Sequence, residues 1–271
     1  MPKEIADLAH IIEEYFEMTT AAENALEIVE EVIEALDAGH IRVAEKAYGD
    51  NDSSIWKVNA WVKKAILLYF RLRPVVKMDE GPFCDKIPLK EFSPATNRLL
   101  PYSSVRRGCY VAPKVVIMAP SFINIGAYVD EGVLVDSLVL VGSCAQIGKN
   151  VHLGAGTVIG GVLEPPNSTP VIIEDGAFIG GSCGVYEGCI VEAGAVLGAG
   201  TVITARTPIV DINTGEEYFG RVPENAVVVP GGRLKKVGKQ DFVLQTPIII
   251  KRRDPSVSAK LALEDSLRVF G

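Results

Sequence analysis

Few residues of this chain combine a reactive side chain with a position that would present it. Asp136 does so, because it directly follows Val135 in a slot that later segments fill with Gly142, Gly148, Gly154 and Gly160. A carboxylate there projects from the surface instead of entering the core, where it is placed to act as a general base, a contribution typically of about 10²–10⁴-fold. The alternative is a solvated aspartate that bonds the backbone of its own turn. Arg98 offers a planar fork of donors suited to a substrate carboxylate, with a surface arginine in a linker as its alternative. The histidines, His10, His40 and His152, stand far apart, so no metal site is expected. Cys84, Cys109, Cys144, Cys183 and Cys189 form no C-x-x-C pair and are odd in number, which argues for reduced packing residues rather than disulfides.

The frame for these residues is a repeat. From Val105 an aliphatic residue recurs every six positions, through Val111, Ile117, Ile123, Val129, Val135, Val141, Ile147 and Leu153 to Ile159. This period is neither helical nor a simple strand alternation. It suits a short extended segment followed by a bend, and the glycines after Val141, Ile147, Leu153 and Ile159 are expected to turn the corner because glycine tolerates backbone conformations closed to other residues. Three such segments close a triangular coil, so that Val105, Ile123, Val141 and Ile159 stack and an aliphatic column fills the interior. Gly160 to Ile172, which contains Glu164, is too rich in proline and polar residues to continue the coil and reads as an excursion from a corner. The repeat resumes at Ile173 and runs to Ile209.

Around this frame the chain divides into three expected parts. Residues 1–100 read as an α-helical domain and linker, 101–232 as the repeat with its excursion at 160–172, and 233–271 as a small strand and helix cap. Two helices are expected within residues 3–38, with Ile5, Leu8, Ile12, Tyr15 and Phe16 on the inner face of one and Leu26, Val29, Val32, Ile33 and Leu36 on that of the other. A third runs from about Asn59 to Leu72 and is stopped by Pro74. A closing helix is expected with Asp254 as N-cap and Pro255 at its first position. The net charge of −7, with no long basic stripe, makes nucleic acid an unfavourable partner. No apolar run approaches the length of a membrane span, and the opening residues lack the features of a secretory signal, so the expected location is cytoplasmic.

The hexads resemble those of the hexapeptide-repeat acyltransferases. More narrowly, Arg42-Val43-Ala44-Glu45-Lys46, Asn124 to Gly132, Val141 to Leu153, the excursion Gly160 to Pro165 and Tyr218 to Pro223 resemble the tetrahydrodipicolinate N-succinyltransferase branch. The resemblance implies a mainly β protein, a left-handed parallel β-helix with an α-helical N-terminal domain, working as a homotrimer with sites between subunits. It implies transfer of a succinyl group from succinyl-CoA to the amino group of ring-opened tetrahydrodipicolinate, in lysine and diaminopimelate biosynthesis, without a metal. An N-acetyltransferase using acetyl-CoA and a non-catalytic scaffold of hexads are the alternatives.

By the same resemblance Asp136 contacts the acceptor's amino group, and Arg98, through its spacing to Arg106, binds substrate. Glu187 aligns with a further acid of the family and Glu164 is a weaker substrate-binding candidate. The chain departs from the pattern at Gly184, where many members carry glutamate. Arg233, Lys235 and Lys236, with Lys239 beside them, are candidates for the phosphates of coenzyme A, the alternative being a solvated basic face.

Overall fold

A computed structural model describes residues 5–20, 22–48, 54–78, 82–92 and 96–257. Three helices come first, α1 (Ile5–Glu17), α2 (Ala25–Asp37) and α3 (Ala60–Leu72). In α2 the residues Ile28, Val29, Val32, Ile33 and Leu36 recur at helical spacing and are all buried. Ile5 and Leu26, expected inside, are instead 51% and 37% exposed; at the start of α2 the inner face is taken by Ala25, Ile28 and Val29. Gly39 takes the chain out of α2 at a φ of +77°, and a Cβ there would stand 2.5 Å from the ring of Tyr110. Between α2 and α3 lies an antiparallel ribbon, β1 (Ala44–Tyr48) with β2 (Ser54–Val58).

The repeat folds as a prism of three sheets in which nearly all strands are two residues long and parallel. Each face is named here by its first outward residue. The Arg98 face stacks Arg98, Val116, Leu134, His152, Phe178 and Val196. The Ser104 face stacks Ser104, Phe122, Leu140, Val158, Gly184 and Val202. The Tyr110 face stacks Tyr110, Tyr128, Gln146, Ile172 and Ile190. The second residue of each strand points inward, and every aliphatic position of the hexad series from Val105 to Ile209 is buried. Burying one such side chain is worth about 1.5–3 kcal/mol, so each rung is stabilised chiefly by its neighbours. This arrangement fits the hexapeptide β-helix. Its ladder begins at Arg98–Leu99, paired with Val116–Ile117.

The corner glycines serve a different purpose from the one expected. Gly142, Gly148, Gly154 and Gly160 do not adopt positive φ; the left-handed positions fall elsewhere in the turns, at Gly126, Gly132 and Gly156 and also at Leu138, Cys144 and Glu187. What the corner glycines provide is close approach. A Cβ at Gly142 would lie 2.2 Å from the nitrogen of Gly161, and one at Gly154 would lie 2.8 Å from the carbonyl oxygen of Ile179 on the next rung.

The excursion leaves the edge between the Ser104 and Tyr110 faces, and Ile173 then takes the next place on the ladder, beside Ile147. The fully buried Lys63 of α3 ties it down by donating from Nζ to the carbonyl of Ser168 at 2.6 Å. The helices cover this same edge, where Ile125 and Cys144 of the prism join Ile33 and Ile66 in the helical core.

At the far end Ile248–Arg252 returns to pair with Ala226–Val229 and with Ile209–Asp211, and Ile249 enters the column. Between those passes the ribbon Gly232–Val237 and Gln240–Gln245 is exposed along its whole length. Asp254 bonds the backbone and hydroxyl of Ser256, but the closing helix expected beyond it lies outside the described residues.

Candidate active site

Asp136 stands on the edge between the Arg98 and Ser104 faces, at the end of the strand Leu134–Val135. Its backbone is fixed from two sides. The N–H donates to the carbonyl of Leu153 at 3.0 Å, and the Ser121 hydroxyl donates to its carbonyl oxygen at 2.8 Å. The side-chain Oδ1 accepts the N–H of Ser137 at 2.7 Å, which is the turn bond weighed against a functional role. That bond occupies one oxygen only, and among the described residues Oδ2 accepts no hydrogen bond. The half-buried carboxylate is thus held in place while presenting a free acceptor, as a group that must orient an amine requires. Two residues on, Leu138 sits at a φ of +63° with 65% of its surface exposed, a conformation that is unfavourable for a branched apolar residue.

The remaining candidates divide between two edges of the prism. Arg98 is exposed on the Arg98 face, its N–H bonded to the carbonyl of Val115 and its guanidinium without an ion pair among the described residues. It lies two rungs from Leu134 on that face, so with a rung spacing of about 4.8 Å it borders the Asp136 edge. Glu187 and Glu164 belong to the other edge, between the Ser104 and Tyr110 faces. Glu187 is exposed at a φ of +56°, and its Oε2 accepts the N–H of Ala205 at 3.0 Å. The neighbouring Gly188 packs against the excursion, where a Cβ would meet the carbonyl oxygen of Thr169 at 2.3 Å. In a single chain, Asp136 and Glu187 therefore stand on separate edges of the prism.

Gly184 makes room for Tyr186. A Cβ there would come within 2.4 Å of the ring of Tyr186, which occupies that space. Arg106 and Arg107 are committed to structure: Arg106 pairs with Asp85 at 2.7 Å, and Arg107 with Glu30 of α2. Arg233 and Lys235 project from one side of the C-terminal ribbon, opposite Leu244 and Phe242, while Lys236 lies on the other side opposite Asp241. The three cations thus cannot grip one phosphate together, and Arg233 is already 3.8 Å from Glu217. Four cysteines are buried, and burial pushes the Cys144 and Cys189 thiols up to about 12 and Cys183 to about 11, so none of these three is a thiolate at neutral pH.

Residues 7–72 match the family described as tetrahydrodipicolinate N-succinyltransferase N-terminal, and residues 170–205 match the hexapeptide repeat of succinyl-transferase. A 2,3,4,5-tetrahydropyridine-2,6-dicarboxylate N-succinyltransferase of Methylorubrum extorquens is 45% identical, over 97% of this chain and 99% of its own. The chain belongs to this family. The enzyme of the same name from Acinetobacter baylyi is 46% identical over 97% of this chain and 99% of its own, and that of Cupriavidus taiwanensis is 48% identical over 92% and 91%. Family membership therefore rests on the helical region and the prism together, not on the hexads alone. Two features of this member had no signal in the spacing of its residues: Tyr186 filling the space over Gly184, and Ser121 pinning the Asp136 carbonyl.

Proposed function

We propose that the protein transfers a succinyl group from succinyl-CoA to the amino group of ring-opened tetrahydrodipicolinate, in lysine and diaminopimelate biosynthesis. The observation that carries this reading is the near full-length likeness to enzymes of that name, 45% identical across 97% of the chain. In the reaction the amine attacks the thioester carbonyl, a C–N bond forms and the C–S bond breaks. The amine proton passes through the free Oδ2 of Asp136 and leaves with the thiol, so the carboxylate is regenerated and no covalent acyl-enzyme is needed. Arg98 holds a carboxylate of the acceptor, and the fixed backbone of Asp136 supplies the orientation on which much of the rate depends. Arg233 and Lys235 meet phosphates of the coenzyme.

The separation of the candidates supports a homotrimer. Asp136 and Glu187 lie on different edges of one prism, so a cleft that uses both takes one edge from each of two neighbouring chains. The test is release of free thiol from succinyl-CoA and from acetyl-CoA, each with the cyclic dicarboxylate. Release from succinyl-CoA at a clearly higher kcat/KM is expected. A preference for acetyl-CoA would move the assignment to the acetyltransferase reading, and no release from either donor would leave a scaffold.

A further inference from the structure

A cavity of about 210 Å³ lies away from the Asp136 edge, between the β1–β2 ribbon and the prism, and is lined by Arg42, Lys46, Trp56, Asp130, Glu174 and Asp175 among others. It is larger than an engineered cavity of about 150 Å³ that accepts benzene, so it has room for a small organic molecule as well as water. Its walls carry opposed charges that are prevented from meeting. Arg42 lies flat on the ring of Tyr128, its guanidinium carbon 3.5 Å from the ring centroid, and Nε donates to Oε1 of Gln146 at 3.1 Å. Gln146 is itself fixed by donating to the carbonyl of Cys144 at 2.9 Å. The two terminal nitrogens of Arg42 donate to no group among the described residues; burial lowers its pKa, and the charges of Asp130 and Asp175 act against that.

Across the cavity, Asp130 uses Oδ1 to accept the N–H of Glu131 at 2.7 Å, and Asp175 uses Oδ1 to accept that of Lys149 at 2.8 Å. Neither aspartate forms an ion pair with Arg42, and in each the second oxygen has no partner among the described residues. Gly148 keeps the space open, since a Cβ there would be 2.3 Å from Oδ1 of Asp175. Lys46 and Glu174 pair with each other at 3.1 Å, and Trp56 Nε1 donates to the same Glu174 oxygen at 2.8 Å, so those groups are satisfied. What remains is a forked cation on one wall and two carboxylate oxygens on the other.

We infer that this cavity binds a small α-amino acid, its carboxylate on the Arg42 fork and its ammonium between Asp130 and Asp175. With Lys46 and Glu174 cancelling, the walls carry one positive and two negative charges, so an amino acid with a cationic side chain is preferred to a neutral one, and a neutral one to an acidic one.

The test is calorimetric titration of the full-length protein with L-ornithine, L-alanine and L-aspartate. Saturable binding is expected for ornithine, weaker binding for alanine and none for aspartate. Asn at positions 130 and 175 keeps both backbone-accepting oxygens and removes both charges, so Asp130→Asn with Asp175→Asn should weaken ornithine binding at least tenfold; Asp130→Asn alone, which disturbs less, should weaken it measurably. The Asp136→Asn protein should bind ornithine as the unsubstituted protein does. Absence of saturable ornithine binding overturns the inference, as does unchanged affinity in Asp130→Asn or loss of affinity in Asp136→Asn.

Discussion

The prism is built from one rung repeated along its axis, whereas the helical region is held by contacts of several different kinds. The column from Val105 to Ile249 is lined by aliphatic and small apolar residues, and its backbone is joined rung to rung at regular intervals, as from Gly142 to Ile159 and from Gly160 to Val185. The helical region has a smaller apolar core and meets the prism through particular charged contacts. Glu30 sits between Arg73, at 2.5 Å, and Arg107; Lys90 reaches Asp37 at 2.6 Å; Arg106 reaches Asp85 at 2.7 Å. The difference shows how one molecule divides its tasks. Redundant apolar stacking makes the prism a rigid rack on which a corner side chain that faces outward, such as Asp136, can be exchanged without loss of fold, while single polar pairs add to the apolar contacts of Ile125 and Cys144 in fixing the docking of the helices.

The sharpest test of that division is Asp136→Asn. Asparagine keeps the oxygen that accepts the Ser137 N–H and touches no core residue, so the melting temperature should stay within error. Turnover should fall by about two orders of magnitude or more, the usual size of a lost general base. Steady-state kinetics beside a thermal melt reads both quantities. Near-normal turnover would reduce Asp136 to a turn residue, and a collapsed melt would mean that the corner is not separable from the core.

Next in size is truncation inside the column. Leu153→Ala removes a fully buried side chain that is held by Val135 and Ile179 on the adjoining rungs and cannot readily collapse. A loss of about 2–5 kcal/mol is expected from the urea midpoint. If the rungs were mutually independent, the loss would stay local; hydrogen exchange should instead show it shared by the rungs on both sides.

The junction is tested by acid. Burial alone would raise the Glu30 pKa, but the hydrogen bonds and charge of Arg107, with Arg73 and Tyr69, overcome that and hold it below its ordinary value of 4.5. A carboxyl lowered in the folded state stabilises the fold above 4.5, and that contribution disappears as pH falls below it and through the lowered value. The amides of α2 and α3 should therefore lose protection in acid before those of the prism. Glu30→Gln should cost about 1–3 kcal/mol at neutral pH and blunt this acid sensitivity. Simultaneous loss of protection in both regions would erase the contrast between them.

How much of this was legible in the sequence follows the same division. The inward series is visible because a six-residue period needs only one residue type per turn, and the structure places it in the column without exception from Val105 to Ile209. Asp136 is visible as a break in that period. The reason for the corner glycines is not, since their neighbours in space, such as Gly161 beside Gly142, are fixed by where the excursion leaves the coil. The exposed C-terminal ribbon escapes pattern reading because it has no buried face to impose an alternation, and strand β2 because its inward residues, Trp56 and Val58, are only half-buried. The separation of Asp136 from Glu187 also requires the strand order, because the valines that precede them, Val135 and Val185, lead into different corners.

The smallest expected effect concerns the cysteines, and it bears on whether the rack takes part in chemistry. Cys109, Cys144, Cys183 and Cys189 are buried, whereas Cys84 is exposed on the segment leading to the prism. A thiol reagent should modify Cys84 alone in the native protein and all five cysteines in urea. Thiolates are the reactive form, and burial disfavours them at the four inner positions, so access and ionisation both point to one labelled site. Blocking Cys84 should leave the rate of succinyl transfer unchanged, because the attack of amine on thioester passes through no enzyme sulfur. Loss of turnover that tracks the labelling, with the melt preserved, would restore a covalent intermediate and remove the prism's role as a purely positioning frame.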